Sequence, residues 1–252
     1  MKLSVLIPTR DEARALPLLL ADLQRWPGEL EVLVADGGSR DATTTAASLA
    51  GARVLHCMTR GRGQQLRRAA EHAKGLWLLV LHADSRLSET WARAIASRMQ
   101  DPIAVNHPFH FDLRIQGSDP MLRVVEQGVA LRCHWLHEPY GDQGLLIHRG
   151  LYDRVGGFRP IPLMEDLELV QRLNRISQLR SLGEPITTSG RRWEQDGVLE
   201  RTWRNAQIRW RWHHGARPEQ LLRDYSRPVS WRTRRRSDDP EAPDPSPGAD
   251  RN

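Results

Sequence analysis

The feature that most constrains this chain lies in its first hundred residues. Four short apolar runs alternate there with stretches of helical spacing. Residues 3–7, 31–35, 53–57 and 76–81 read as strands. Residues 13–26 set Leu16, Leu19, Leu20 and Leu23 at helical intervals, and residues 41–50, 64–73 and 88–99 read as three further helices. The run 76–81 is apolar throughout, so both its faces must be covered. Strands separated this regularly by helices imply a mainly parallel sheet with helices on both sides.

After residue 100 the pattern changes. Phe109, Phe111, Leu113 and Ile115 alternate with polar residues, which predicts an antiparallel strand at the far edge of the sheet. Residues 165–176 form a helix with Leu167, Val170, Leu173 and Asn174 on one side. Residues 197–214 form a second helix, rich in Trp and Arg. From residue 226 the chain is charged and Pro-rich with almost nothing apolar, so 226–252 is expected to be a disordered tail. The division that follows is 1–100, then 101–225 as the second half of one domain, then the tail.

Composition narrows the setting. Two cysteines, Cys57 and Cys133, give neither a disulfide framework nor metal-ligand spacing, and a reduced cytoplasmic setting is expected. The apolar run at the N-terminus is too short for a signal peptide. The run 76–81 falls far below the roughly 20 residues of a membrane helix. A formal net charge of +6 suits anionic partners without choosing among phosphates, nucleic acid and membrane.

Chemistry-bearing residues gather where the strands end. Strand one runs into Pro8-Thr9-Arg10-Asp11-Glu12 and strand two into Asp36-Gly37-Gly38-Ser39. Strand three is followed by Arg60-Gly61-Arg62-Gly63, and strand four by His82-Ala83-Asp84. Taken singly, each has an ordinary structural explanation. The Asp-Gly-Gly-Ser stretch is a common turn, the glycines relieve backbone strain, and His82 can be a hydrogen-bonded core histidine. Together they follow consecutive strands, on the side where open α/β sheets bind ligands. Carboxylates, glycines and arginines there describe a site for a phosphorylated ligand.

At this point the chain resembles a known family. The segments SVLIPTRDE (4–12), ADGGSRDAT (35–43) and LVLHADSRL (79–87) are similar to family 2 glycosyltransferases of the GT-A fold. The segments GDQG (141–144), GGFRPIPLMEDLE (156–168) and TSGRRWEQDG (188–197) resemble a bacterial branch of that family, the radical-SAM/selenodomain-associated transferases. The resemblance runs over about residues 2–225. It implies an inverting transfer of sugar from a nucleoside diphosphate sugar, UDP-linked, to a hydroxyl acceptor that includes lipid-like compounds.

The roles it implies go position by position. Pro8, Thr9 and Glu12 line the nucleotide pocket. Asp36 hydrogen-bonds the base beside Gly37, since a carboxylate accepts the imide N–H of uracil. Arg62 contacts base or phosphate. Asp84 takes the last position of the family's acidic motif and is the ligand for Mn2+ or Mg2+ bridging the diphosphate. The generic motif carries an acid two residues earlier. This chain has His82 there, which weakens the metal site. Glu165 and Asp166 match the acidic pair, with Asp166 as catalytic base. The plainer reading of that pair is a helix start, where negative charge is favoured, and the two are compatible. Asp142 and Gln143 fall in the acceptor half, as do Arg192 and Trp193, whose loop of two arginines and a tryptophan can clamp the diphosphate or stack on a sugar ring. A solvated loop with one buried indole is the other reading of the last pair.

In the helix at 198–213, Leu199, Trp203, Ala206 and Trp210 share one face, with Arg201, Arg204 and Arg211 opposite and Ile208 and Trp212 among them. One face packing and the other solvated accounts for this. Peripheral contact with an anionic membrane, at the inner face of the bilayer, is the sharper reading. Two other functions stand against sugar transfer. A nucleotidyltransferase of nucleotide-sugar synthesis needs a Gly-rich basic loop after strand one, and Pro8–Glu12 holds no glycine. A non-enzymatic basic protein binding membrane or nucleic acid needs no acids at the strand ends. Nucleic acid is therefore not expected as a partner. Acceptor contacts are expected within 104–140, where Asn106 and His107 stand in place of the glycines usual in this branch.

Overall fold

The computed structural model describes residues 1–57 and 61–225. The tail expected at 226–252, and Arg60 in the third strand-end cluster, lie outside the described residues. The strands are β1 (Leu3–Thr9), β2 (Leu30–Asp36), β3 (Arg53–His56), β4 (Trp77–Val80), β5 (Ser85–Leu87), β6 (Phe109–Ile115), β7 (Leu145–His148) and β8 (Arg180–Thr188). The helices are α1 (Leu16–Leu23), α2 (Thr43–Leu49), α3 (Arg62–His72), α4 (Trp91–Gln100) and α5 (Pro120–Leu136), then α6 (Arg149–Arg154), α7 (Glu165–Asn174), α8 (Arg191–Asp196), α9 (Val198–His213) and α10 (Pro218–Tyr225). None of the described helices is long and apolar enough to cross a membrane.

All eight strands form one sheet in the order β3-β2-β1-β4-β7-β6-β8-β5. The first four are parallel, with Thr9 opposite Asp36 and Asp36 opposite His56, so the carboxyl ends of β1, β2 and β3 are level, and β4 ends at Val80 opposite Leu6. Period-two alternation splits the core into two layers. Leu3, Val5, Ile7, Trp77 and Leu79 pack with α1 and α4 on one face. Leu6, Leu33, Leu78 and Val80 pack with α3 and α7 on the other. Every residue of β1 and β4 is buried, as an apolar run without alternation requires.

The second half departs from expectation in strand placement. The strand 109–115 is not at the sheet's edge: β7 lies on one side of it and β8 on the other. Nor does it run against the main sheet. β7 is antiparallel to both β4 and β6, which gives β6 the same sense as β4, and β6 pairs with β8 in parallel. The extension is therefore mixed, with only β7 and β5 reversed. Two further elements carry weak sequence signals. Gly183 and Pro185 interrupt the alternation of β8. Helix α5 turns Met121, Val124, Leu131, Trp135 and Leu136 to solvent while burying Leu122, Glu126 and Cys133, so its apolar residues mark no single face.

Candidate active site

The strand order reverses between β1 and β4. After β1 the chain builds outward through β2 and β3, then returns to place β4 on the other flank of β1. A crevice opens at such a switch point beyond the strand ends. Here it is a cleft of about 300 Å³. Its floor is Pro8 and Thr9 at the end of β1 and His82, Ala83 and Asp84 after β4. Glu12, Arg62, Tyr140, Asp142, Asp166, Arg192 and Trp193 stand around it. Residues from both halves of the chain thus share one cavity.

The strand-one loop is laced to the strand-two loop. Asp11, at φ 55°, donates its N–H to Ser39 Oγ at 2.9 Å and accepts the Arg40 N–H at 2.7 Å. The Glu12 N–H reaches Thr43 Oγ1 at 2.8 Å. Asp36 is buried, and its carboxylate accepts the N–H groups of Gly38 (3.0 Å) and Ser39 (3.1 Å) and the Ser39 hydroxyl. Its oxygens are spent on the turn, and neither Asp36 nor Gly37 is among the residues lining the cleft. Gln65 braces this corner from α3, donating to the Thr9 and Ala35 carbonyls at 2.8 and 2.7 Å.

Arg62 opens α3 and is the hub of the opposite wall. Its Nε donates to Glu165 Oε1 at 2.6 Å, Nη1 lies 3.3 Å from His82 Nε2, and Nη2 lies 3.9 Å from Asp166 Oδ2. Burial works against its charge, but Glu165 and Asp166 hold its pKa above the ordinary value. Burial, with Arg62 and Arg192 nearby, drives the His82 pKa far down, so the ring is neutral. Since guanidinium only donates, His82 Nε2 accepts and its proton sits on Nδ1.

The acidic pair starts α7, and its two members are placed differently. Glu165 is buried against Arg62 and outside the cleft lining, with Oε2 unpartnered and its pKa raised to about 7, chiefly by burial. Asp166 lines the cleft. Its Oδ2 accepts the Gly141 N–H at 2.6 Å and its Oδ1 the Leu167 N–H at 2.8 Å, which fixes the carboxylate's orientation. Gly141 has to be glycine, because a Cβ there would stand 2.7 Å from His82 Nε2 and 2.8 Å from Asp166 Oδ2. The residue before the pair, Met164, sits at φ 66°, a left-handed conformation that costs a non-glycine residue roughly 1–2 kcal/mol. Arg172 clamps the approach to α7, bonding the Val155 and Gly157 carbonyls and Glu168.

Asp142 lines the cleft with Oδ1 unpartnered. Burial, with Asp166 and Asp84 adding and Arg132 and Arg62 opposing, raises its pKa to about 6. Gln143 does not join it. That side chain is buried behind the cleft, donating to the Phe111 carbonyl at 3.2 Å and accepting from the Tyr140 N–H at 3.2 Å, so it is a brace and not a ligand-facing group. Arg192 donates to the Tyr225 hydroxyl at 2.7 Å, and Trp193 carries an unpartnered Nε1. Both belong to a short helix and not to the loop expected.

Several lining residues carry no motif. Arg201, Asn205, Ile208 and Arg209 come from one side of α9, and Tyr225 from α10. Their only sequence signal is the four-residue spacing of Arg201, Asn205 and Arg209 on a helix. Arg201 is 6% exposed, paired with Asp196 at 3.2 Å and lying 4.8 Å from the Tyr225 ring centroid. Arg201 and Arg209 therefore face the cleft, Arg204 and Arg211 stand partly exposed at its flank, and Trp203 and Trp210 face out.

A divalent ion fits this site in one way only. Among the described residues no three His, Cys, Asp or Glu side chains cluster as metal ligands. Asp84 stands in the cleft, Asp142 offers its free oxygen, and Glu12 is raised in pKa by burial and then by Asp84. Carboxylates that raise one another's pKa accommodate a cation. Such a set could supply one or two ligands to an ion that takes its others from phosphate oxygens, as Mg2+ commonly does. It is not a preformed cage.

Comparison with known proteins agrees with this geometry. The model of the family Glycosyl transferase family 2 matches residues 4–161. Over 100 residues the chain is 37% identical to glycosyltransferase AglJ of Haloferax volcanii, covering 39% of this chain and 31% of that protein. The chain thus spans about a third of that relative's length. Among solved structures, the mannosyltransferase PcManGT of Pyrobaculum calidifontis, in complex with GDP-Man and Mn2+, superposes with a TM-score of 0.61. It is 19% identical over 89% of this chain and 68% of that one. TarS 1-349 of S. aureus, in complex with UDP-GlcNAc, gives a TM-score of 0.60 at 17% identity, covering 75% of this chain and 58% of that one. At these identities the likeness is one of fold, the GT-A arrangement.

Proposed function

The chain belongs to glycosyl transferase family 2, and from that premise we propose that it transfers a sugar from a nucleoside diphosphate sugar, UDP-linked, to an acceptor hydroxyl with inversion at the anomeric carbon. The observation that carries this reading is the single cleft in which Asp84, Asp142 and Asp166 stand among Arg62, Arg192, Arg201 and Arg209. Arginines suit a diphosphate, and a fixed carboxylate suits a hydroxyl that must lose its proton. That AglJ is a glycosyltransferase, and that TarS and PcManGT were solved with UDP-GlcNAc and GDP-Man, supports the choice of donor class.

In this mechanism the nucleotide lies against Pro8, Thr9 and Glu12. Asp36 and Gly37 act from behind, holding the turn to which the strand-one loop is tied. Arg192 and Arg201 bind the diphosphate, and Trp193 lines the cleft where a sugar ring can meet its indole. Asp84 and Asp142 would hold a Mn2+ or Mg2+ ion, which would supply positive charge for the departing diphosphate. Asp166 takes the acceptor proton, the acceptor oxygen bonds to the anomeric carbon, and the bond from that carbon to the phosphate oxygen breaks. Glu165 does not touch substrate. It holds Arg62, which in turn fixes His82 and faces Asp166.

Thermal shift with UDP, GDP and UTP, each with Mn2+ and with EDTA, tests the reading. UDP with Mn2+ should raise the melting temperature most, and Asp84→Asn should remove the metal's share of that rise. A larger response to UTP than to UDP would favour the nucleotidyltransferase. Equal UDP affinity in Mn2+ and EDTA would remove the metal from the mechanism.

A further inference from the structure

Helix α9 has two working sides. One lines the cleft with Arg201, Asn205 and Arg209. The other exposes Leu199, Trp203 and Trp210, the two indoles being 66% and 61% accessible. Helix α5 packs against α9 and repeats the arrangement. Val124, Leu131 and Trp135 recur on its solvent side, with Trp135 72% accessible and Leu136 beside it. Two touching helices thus leave large apolar side chains in water, although a soluble helix normally buries such residues. Apolar surface grouped in this way marks an interaction site.

The occupant has to match the charge as well as the apolarity. Beside Trp210, Arg204 and Arg211 line one surface groove, with Arg211 37% exposed. Exposed Arg217 and Arg223 stand at and on α10, which packs on α9. A second copy of the chain would set arginine against arginine. The chain's own segment 226–252 offers only Val229 and Trp231 as large apolar side chains, too few to cover both rows. Bases of a nucleic acid would stack on the indoles but leave Val124, Leu131, Leu136 and Leu199 without partners. An anionic bilayer satisfies all of these features. Indoles lie at the level of the headgroups, aliphatic side chains reach the acyl boundary, and arginines meet lipid phosphates.

We propose that the solvent faces of α5 and α9 together form a docking surface for anionic membranes, seated through Trp135, Trp203 and Trp210. Because the reverse side of α9 is a wall of the cleft, docking holds the cleft beside the headgroups. The inference concerns binding alone and stands whether or not the sugar-transfer reading does.

Flotation with vesicles of phosphatidylcholine alone, and of phosphatidylcholine with phosphatidylglycerol, tests it on the full chain. The expected result is binding to the mixed vesicles, weakened by high salt, and little binding to phosphatidylcholine alone. Trp203→Ala with Trp210→Ala, and separately Trp135→Ala with Leu131→Ala, should each lower affinity roughly tenfold or more, given the apolar area withdrawn from water. These side chains are exposed, so an unchanged melting temperature and UDP response certify the fold. Failure to bind mixed vesicles would overturn the proposal. So would binding that both variants retain, which assigns it to the arginines alone. A concentration-dependent dimer, or oligonucleotide binding, that the same variants abolish would assign the face to another partner.

Discussion

Residues 1–100 and 101–225 build one sheet by different means. In the first part β1 and β4 are buried along their whole length, and most of what holds them is aliphatic. In the second part β6 carries exposed positions among its buried ones, and among the described residues four glutamates are buried there, Glu126, Glu138, Glu165 and Glu168, against the two aspartates Asp22 and Asp36 of the first part. Glu126 is buried beneath α5, with Arg114 and Arg123 each at 3.0 Å and the Ile115 N–H at 2.6 Å. Glu168 is buried between Arg172 and Arg159. Gln143 ties Tyr140, Phe111 and Cys133 together. Apolar burial is non-directional and tolerates small shifts, whereas buried ion pairs demand geometry. We read this as a division of labour, with a robust half for the nucleotide and a geometrically exacting half for the acceptor and the base.

The sharpest test of that division is Asp166→Asn, which keeps the shape but cannot take a proton. Turnover should fall by about 10²–10⁴-fold while the UDP-induced thermal shift persists. Near-normal turnover would move the base elsewhere, and Asp142 is the neighbouring carboxylate to examine.

Next in size is Leu79→Ala in β4, where a fully buried side chain leaves a cavity. It should cost about 2–5 kcal/mol in urea unfolding, with the pH dependence of stability unchanged. A smaller loss, about 1–3 kcal/mol, is expected from Glu126→Ala, which orphans the Ile115 N–H and two partly exposed arginines. If Glu126→Ala proved harmless, the contrast between apolar and polar halves would fail.

The smallest effect concerns pH. The folded pKa of Glu165, about 7, lies above its ordinary 4.5, so its ionisation opposes folding. Its stabilising contribution is present below about pH 4.5 and is lost as pH rises toward 7. Asp142, raised from 3.8 to about 6, acts in the same sense over a lower window. Melting temperatures of Glu165→Gln across that range should show a flatter decline with rising pH than those of the parent. An identical slope would show that Glu165 is not a source of it.

These contrasts also explain what could be read early. Strand-end residues such as Thr9 and Asp84 were legible because a strand's carboxyl end has a set place in an α/β sheet, whereas Asp166, at the start of α7, was legible only through the family resemblance. Asp36 and Gln143 also lie beside the motifs, yet both turn away from the cleft to satisfy backbone N–H and carbonyl groups. No pattern in the chain announces that choice, since buried polar backbone must be satisfied wherever the fold leaves it. Arg201, Asn205, Arg209 and Tyr225 were missed for a related reason: they reach the cleft only because α9 and α10 fold back over it.

By itself, then, the sequence determined the alternating α/β order, the parallel core and the side of the sheet where chemistry gathers. All three follow from local periodicity and from where strands end. Only the tertiary structure decided that β6 lies inside a mixed sheet and that Arg201 and Arg209 of α9 turn toward the cleft. Periodicity states which residues share a face. Which face is buried depends on what stands across from it, and for α9 that is a wall where Arg201 meets Asp196 and the Tyr225 hydroxyl and Arg209 meets the Tyr140 hydroxyl.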